Sequence, residues 1–126
     1  MPYGYNGKLL YVDLTARKVR SRSLDVKTDR MFLGGSGLGA KLLYDGLTTD
    51  VKPFDPENIL AFLPGLLVGT SAPGSNRTAV CALSPATGIW GEARVGGGWG
   101  HELKYAGWDG LVITGQASSP VYIWID

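Results

Sequence analysis

Apolar residues recur with two different periods along this chain, and the period changes where the glycines gather. Leu9-Leu10-Tyr11-Val12-Asp13-Leu14 alternates so that Leu10, Val12 and Leu14 share one face, and Lys18 to Leu24 follows a turn at Thr15-Ala16-Arg17 as an antiparallel partner. A hairpin is predicted. Lys18, Arg20 and Arg22 alternate onto one face of it, as a solvated strand face requires. Asp25 is placed to cap a short helix through about Phe32, and a second helix begins at Ser36 with Leu38, Leu42, Leu43 and Leu47 at helical spacing. Pro53 and Pro56 mark Thr48 to Asn58 as a surface connection, and Ile59-Leu60-Ala61-Phe62-Leu63 is apolar enough to call for a buried strand. From Pro64 to Gly100, loops rich in glycine, proline and serine alternate with strands at Thr78 to Leu83 and Ile89 to Ala93, the second introduced by a Ser84-Pro85-Ala86-Thr87-Gly88 turn. A helix over Trp99 to Ala106 stops at Gly107, and Leu111 to Thr114 and Val121 to Ile125 are the last strands. This order predicts an α+β domain, a mainly antiparallel β platform with two or three short helices.

Composition narrows the class. A chain of 126 residues is expected to form one core that buries roughly two-thirds of the surface its unfolded form exposes. Hydrophobic residues make up 44% and charged residues 18%, with a net charge of +1, so the chain is read as folded, with no nucleic acid or membrane surface as partner. A single cysteine, Cys81, excludes an internal disulfide framework and any zinc or iron–sulfur site built from several thiolates of these residues. Met1 to Gly7 carry no basic region followed by an apolar run, and the apolar stretch from Ile59 to Val68 is broken by Pro64 and Gly65. A cytoplasmic protein without a spanning helix is therefore expected. Asp126 closes a strand-like run, so residues 1–126 are read as one domain of a longer polypeptide. The 19 glycines are about twice ordinary usage, and they are neither periodic nor part of a low-complexity tract.

Three glycine-bearing loops are candidates for chemistry. Gly34-Gly35-Ser36-Gly37-Leu38-Gly39-Ala40 contains a G-x-G-x-x-A match, but Met31-Phe32-Leu33 before it reads as the end of a helix, whereas a dinucleotide fingerprint needs a strand there. Close approach of helices is the favoured use of these glycines. Gly69 to Arg77 is a small-residue loop that delivers one arginine to the head of a strand. Arg77 is read either as a planar fork for phosphate or carboxylate or as a solvated strand-end side chain. Arg94-Val95-Gly96-Gly97-Gly98-Trp99-Gly100 runs from a strand into a helix. Three consecutive glycines leave backbone N–H groups uncovered beside a helix start, suited to a phosphate or a flat polar ring; a tight strand–helix reversal is the alternative. No nucleophilic or acid–base constellation emerges. His101 lacks a second histidine four residues on and reads as a helix-surface residue, Cys81 reads as a small buried hydrophobe, and the four tryptophans read as core or interdomain contacts.

Taken in order, these residues resemble the amino-terminal domain of the tungsten-dependent aldehyde ferredoxin oxidoreductases. The resemblance runs through Gly4-Tyr5-Asn6-Gly7-Lys8-Leu9-Leu10-Tyr11-Val12-Asp13-Leu14-Thr15, Phe32-Leu33-Gly34-Gly35-Ser36-Gly37-Leu38-Gly39, Pro53-Phe54-Asp55-Pro56-Glu57-Asn58 and Gly65-Leu66-Leu67-Val68-Gly69-Thr70-Ser71-Ala72-Pro73. It continues through Arg77, Leu83-Ser84-Pro85, Gly96-Gly97-Gly98-Trp99-Gly100 and Glu102-Leu103-Lys104-Tyr105-Ala106-Gly107-Trp108-Asp109-Gly110. The resemblance implies the first part of a platform on which two pterin dithiolenes, holding one tungsten or molybdenum, lie with their phosphates joined through magnesium. By the same resemblance, Arg77 lies between the pterin and an iron–sulfur cluster, Gly96 and Gly97 approach the pterin through their backbone, and the Arg94 carbonyl helps hold the magnesium. Members of the family often carry asparagine at the position of Arg94; the resemblance leaves its backbone carbonyl as a magnesium ligand, or its side chain as a partner for phosphate.

The family's cluster cysteines, its proton-transfer residues and its substrate pocket lie in later domains, so no catalytic residue is assigned here. The complete enzyme would oxidise an aldehyde to a carboxylic acid and pass electrons to ferredoxin, with the remaining domains as partners, although related members reduce aromatic thioesters. The 126-residue chain by itself is expected to be inactive and to self-associate through an uncovered platform face. A non-catalytic β-rich binding or interaction module is the alternative, and cysteines spaced along a downstream sequence would discriminate in favour of the enzyme.

Overall fold

The computed structural model describes residues 4–126, apart from the side chain of Asp29; Met1, Pro2 and Tyr3, the start of the opening segment, lie outside the described residues. The hairpin forms as the alternation predicts: β1 (Lys8–Asp13) pairs antiparallel with β2 (Lys18–Ser23), Leu10 opposite Ser21 and Val12 opposite Val19. Asp25 then caps α1 (Val26–Phe32), its carboxylate accepting from the amides of Lys27 and Thr28 at 2.8 and 2.9 Å and from the Thr28 hydroxyl at 2.6 Å. Those bonds favour the ionised carboxylate and hold its pKa below the usual aspartate value. A break at Leu33 and Gly34, both with positive φ, separates α1 from α2 (Gly35–Gly46). Strands β3 (Leu60–Pro64), β4 (Thr78–Leu83) and β5 (Trp90–Val95), helix α3 (Trp99–Tyr105) and strand β6 (Leu111–Thr114) complete the order.

The six strands form one sheet in the order β2-β1-β6-β3-β4-β5, antiparallel throughout except where β6 lies parallel to β1. Side-chain alternation divides the core between the two faces. On one face Leu9, Ala61, Leu63, Ala79, Cys81 and Val112 pack beneath Leu38 and Leu43 of α2. On the other, Leu10, Val12 and Leu111 pack against Leu103 of α3. β1 is thus apolar on both faces, and the one-sided pattern of Leu10, Val12 and Leu14 describes only half of its burial.

Two expectations are corrected here. Val121 to Ile125 do not form a strand: β6 is already flanked by β1 and β3, the free edges belong to β2 and β5, and the segment after β6 has no neighbour to pair with. It carries no regular element instead, with Ile125 packed against the cluster under α3. Leu60, read as part of a fully buried strand, is 38% exposed because it points to the face that α3 covers only in part.

Candidate functional site: a glycine shelf at the end of the β4–β5 ladder

The glycines of the α1–α2 loop serve packing. Gly37 sits against the Phe32 carbonyl where α1 and α2 meet, as close helix approach requires. Gly39 extends that role to the sheet: a Cβ there would lie 2.7 Å from Cys81 Sγ, so its absence lets α2 settle directly on β4. Cys81 is fully buried under this contact, and burial, with the negative charge of Glu92 nearby, pushes its thiol up to about 11. It is a core residue, as its apolar surroundings in the sequence suggest.

The other two glycine loops meet. The register that pairs Thr78 with Val95 carries the preceding Arg77 to a place opposite Gly96. Gly96 has no Cβ, and the space one would take is occupied by the guanidinium of Arg77. Beyond it the backbone is open: a Cβ at Gly97 or Gly98 would meet nothing within 4 Å. Gly97 has φ +90, a conformation side chains rarely adopt. Thus Arg77 and Gly96, nineteen positions apart in the sequence but neighbours at the end of the ladder, form with Gly97 a cation beside a bare backbone shelf.

Arg94 lies on the same strand but its side chain is engaged elsewhere. Its Nε donates to Glu92 Oε1 at 2.7 Å, and the Ser36 hydroxyl donates to the same oxygen at 2.7 Å, tying β5 to the start of α2. Hydrogen bonds to Arg94 and Ser36 hold the Glu92 carboxyl below its usual pKa, and the same contact raises that of Arg94. The guanidinium is therefore turned back along its own strand. The sequence reading missed Glu92, although two charges of opposite sign at i and i+2 of a strand necessarily share a face.

α3 starts directly after the shelf and is seated by another close approach: Gly100 lies against the Thr78 hydroxyl, and a Cβ there would be 3.3 Å from Val68 Cγ1. Trp99 stacks at a tilt on Phe62, with ring centroids 5.5 Å apart, while Trp108 lies under Lys8 Nζ at 4.4 Å. None of the four tryptophans is buried. His101 is half-buried, and its Nδ1 has no hydrogen-bond partner among the described residues. Nor, among those residues, do three or more His, Cys, Asp or Glu side chains gather as a metal site. A metal at this shelf would need its ligands from backbone carbonyls, from an organic cofactor or from other segments.

Comparison with known proteins decides the family. The family model described as aldehyde ferredoxin oxidoreductase, N-terminal domain, matches residues 9–126. The chain belongs to this family. It is similar to the tungsten-containing aldehyde ferredoxin oxidoreductase of Pyrococcus abyssi, 42% identical over 98% of this chain and 20% of that protein. It is also similar to the aliphatic sulfonate oxidoreductase, WOR-like subunit, of Pyrococcus furiosus, 41% identical over 98% of this chain and 20% of that protein. Among solved structures it matches the active-site complex BamBC of benzoyl coenzyme A reductase in complex with 1,5-dienoyl-CoA. There the TM-score is 0.96 and the identity 42%, over 99% of this chain and 19% of that one. The resemblance of fold and sequence is thus shown, and the chain spans about one-fifth of the length of these relatives. Among the described residues no helix is long and apolar enough to cross a membrane.

Proposed function

We propose that this aldehyde ferredoxin oxidoreductase N-terminal domain is half of the seat for a tungsten (or molybdenum) bis-pterin cofactor with its bridging magnesium, and that the complete enzyme oxidises aldehydes with ferredoxin as acceptor. One observation carries the reading: a guanidinium fills the place of a Cβ at Gly96 while Gly97 and Gly98 open onto unoccupied space. A flat, phosphorylated ring system fits such a shelf, because bare backbone lets a ring approach closely and a guanidinium matches phosphate or a ring edge with several donors. When bound, the cofactor supplies the two-electron step by which aldehyde and water become carboxylic acid, two protons and two electrons. An iron–sulfur cluster ligated by later domains would carry those electrons to ferredoxin.

In this reading each residue has a limited task. Arg77 would hold a fixed positive charge between the ring system and the cluster, Gly96 leaves room for that guanidinium beside its bare backbone, Gly97 keeps the approach clear, and the Arg94 carbonyl would offer one oxygen to magnesium. The engagement of the Arg94 side chain with Glu92 supports a backbone role for that residue. The names of the relatives, which include an aldehyde and a sulfonate oxidoreductase and a reductase of an aromatic thioester, support a shared cofactor seat whose substrate is selected elsewhere.

The test uses the complete enzyme. Gly98 has φ −81 and free space around it, so Gly98→Ala leaves the fold within about 0.5 kcal/mol of wild type. Its methyl group, however, intrudes on the shelf, and tungsten per folded chain, measured by plasma mass spectrometry, falls. Arg77→Ala slows cluster reduction in stopped-flow traces more than it lowers tungsten content. Wild-type tungsten content in Gly98→Ala together with unchanged reduction in Arg77→Ala would refute the seat.

A further inference from the structure

The shelf hangs from a helix of only seven residues, α3, which cannot hold its own position. What holds it is a buried ion pair. Lys104 in the last turn of α3 donates to Asp109 Oδ1 at 2.6 Å, and the two side chains are 6% and 5% exposed. Each charge is also bonded to the chain's opening segment. Lys104 Nζ donates to the Gly4 carbonyl at 2.5 Å. Asp109 accepts from the Asn6 amide at 2.9 Å through either oxygen and from the Gly7 amide at 2.5 Å. The Asn6 side chain returns a bond to the Lys104 carbonyl at 2.9 Å, and the Asp109 amide donates to the Lys8 carbonyl at 2.9 Å.

The same lysine touches the loop that delivers Arg77. A Cβ at Gly69 would lie 3.1 Å from Lys104 Cβ, so the stem of Lys104 rests on that loop's backbone. Four residues earlier on α3, Gly100 rests against Thr78, which is 2% exposed and directly follows Arg77. Both ends of the helix are thereby fixed to the loop-and-strand segment that carries the arginine, and the helix start in turn carries Gly96 to Gly98. A charged pair taken out of water costs stability compared with an apolar pair of the same shape, so its presence calls for another use, and registering two elements is the best attested one.

We propose that Lys104 and Asp109 are positioning residues for the glycine shelf: the pair sets α3 against the Gly69–Arg77 loop so that guanidinium and bare backbone face one ligand together. The proposal rests on the cofactor-seat reading above. In the complete enzyme, Lys104→Met leaves Asp109 buried without its partner and is the variant most prone to misfold. The double variant Lys104→Met/Asp109→Asn removes both charges and keeps an acceptor for the Asn6 or Gly7 amide, so it retains native circular dichroism. Leu43→Ala, in the core on the opposite face of the sheet, is the control for lost stability without lost positioning.

In the double variant, tungsten affinity falls roughly tenfold or more. Amide hydrogen exchange rises in 69–77 and 96–100 but not in the β1–β6 ladder, and the paramagnetic resonance signal of the metal broadens. Leu43→Ala, at an equal or larger drop in melting temperature, keeps all three at wild-type values. A wild-type enzyme without tungsten overturns the cofactor reading and this proposal with it. A tungsten-loaded wild type matched by the double variant in metal content, loop exchange and resonance signal overturns the positioning role alone.

Discussion

Gly96 has no Cβ, and the guanidinium that takes its place belongs to a residue nineteen positions earlier, Arg77. The clash that alanine would make there is with the far end of a flexible side chain, whereas at Gly37 it is with the Phe32 carbonyl, which cannot swing away. On the proposed reading the two glycines therefore separate function from fold. Gly96→Ala is expected to leave thermal stability within about 0.5 kcal/mol of wild type, since the arginine rotates aside. Electron transfer in the complete enzyme then slows toward the rate of Arg77→Ala, because the cation has left its place. A Gly96→Ala enzyme with wild-type turnover would remove the geometric argument for Arg77. Much at this scale was legible in the sequence: Arg77, Gly96 and Gly97 stand out because small residues surround them. The i, i+2 spacing of Glu92 and Arg94 also put their pairing within reach of the sequence, but the bond from Ser36 to the same carboxylate was not, since α2 brings it from fifty-six positions away.

Among the elements, α2 and α3 show how short helices without strong caps are held by what they pack on. α2 has no side-chain cap and ends without a basic last turn, yet it is seated where Gly39 meets Cys81 Sγ at 2.7 Å from a hypothetical Cβ, with Leu63 Cδ1 at 3.2 Å. Tertiary contact, not propensity, stabilises such helices. Gly39→Ala gains about 1 kcal/mol of intrinsic helix preference but forces α2 off β4, for a net loss of about 1–2 kcal/mol by denaturant titration. Cys81→Ala removes the sulfur atom that the new methyl would strike. In a double-mutant cycle the pair is expected to be less damaging than the sum by about 0.5–1 kcal/mol. Strict additivity would mean that α2 is not seated at this contact. The apolar stripe of α2 was readable from its spacing, but the reason for its glycines was not, because a close helix–sheet approach leaves no periodic trace.

As a whole molecule, the chain has one sheet with α1 and α2 across one face and α3 across only part of the other. On the partly covered face Leu60, Val95 and Trp99 remain 38%, 46% and 43% exposed, and the segment after β6 adds Trp124 at 79%. An apolar surface of this kind marks a place where further protein or ligand belongs. The 126-residue chain expressed by itself is expected to self-associate in a concentration-dependent way by analytical ultracentrifugation and, on the proposed reading of half a seat, to retain no stoichiometric tungsten. A monomeric chain that carried tungsten would contradict both the proposed seat and the interface. What the sequence by itself determined is what depends on near neighbours: strand alternation, the Asp25 cap, the turns, and the glycine runs that leave backbone bare. What only the tertiary structure decided is what depends on competition between distant groups. β6 inserts between β1 and β3, which leaves Val121 to Ile125 without an edge; the β4–β5 register sets Arg77 opposite Gly96; and Lys104 and Asp109 enter the interior together because each is the other's compensation for lost water.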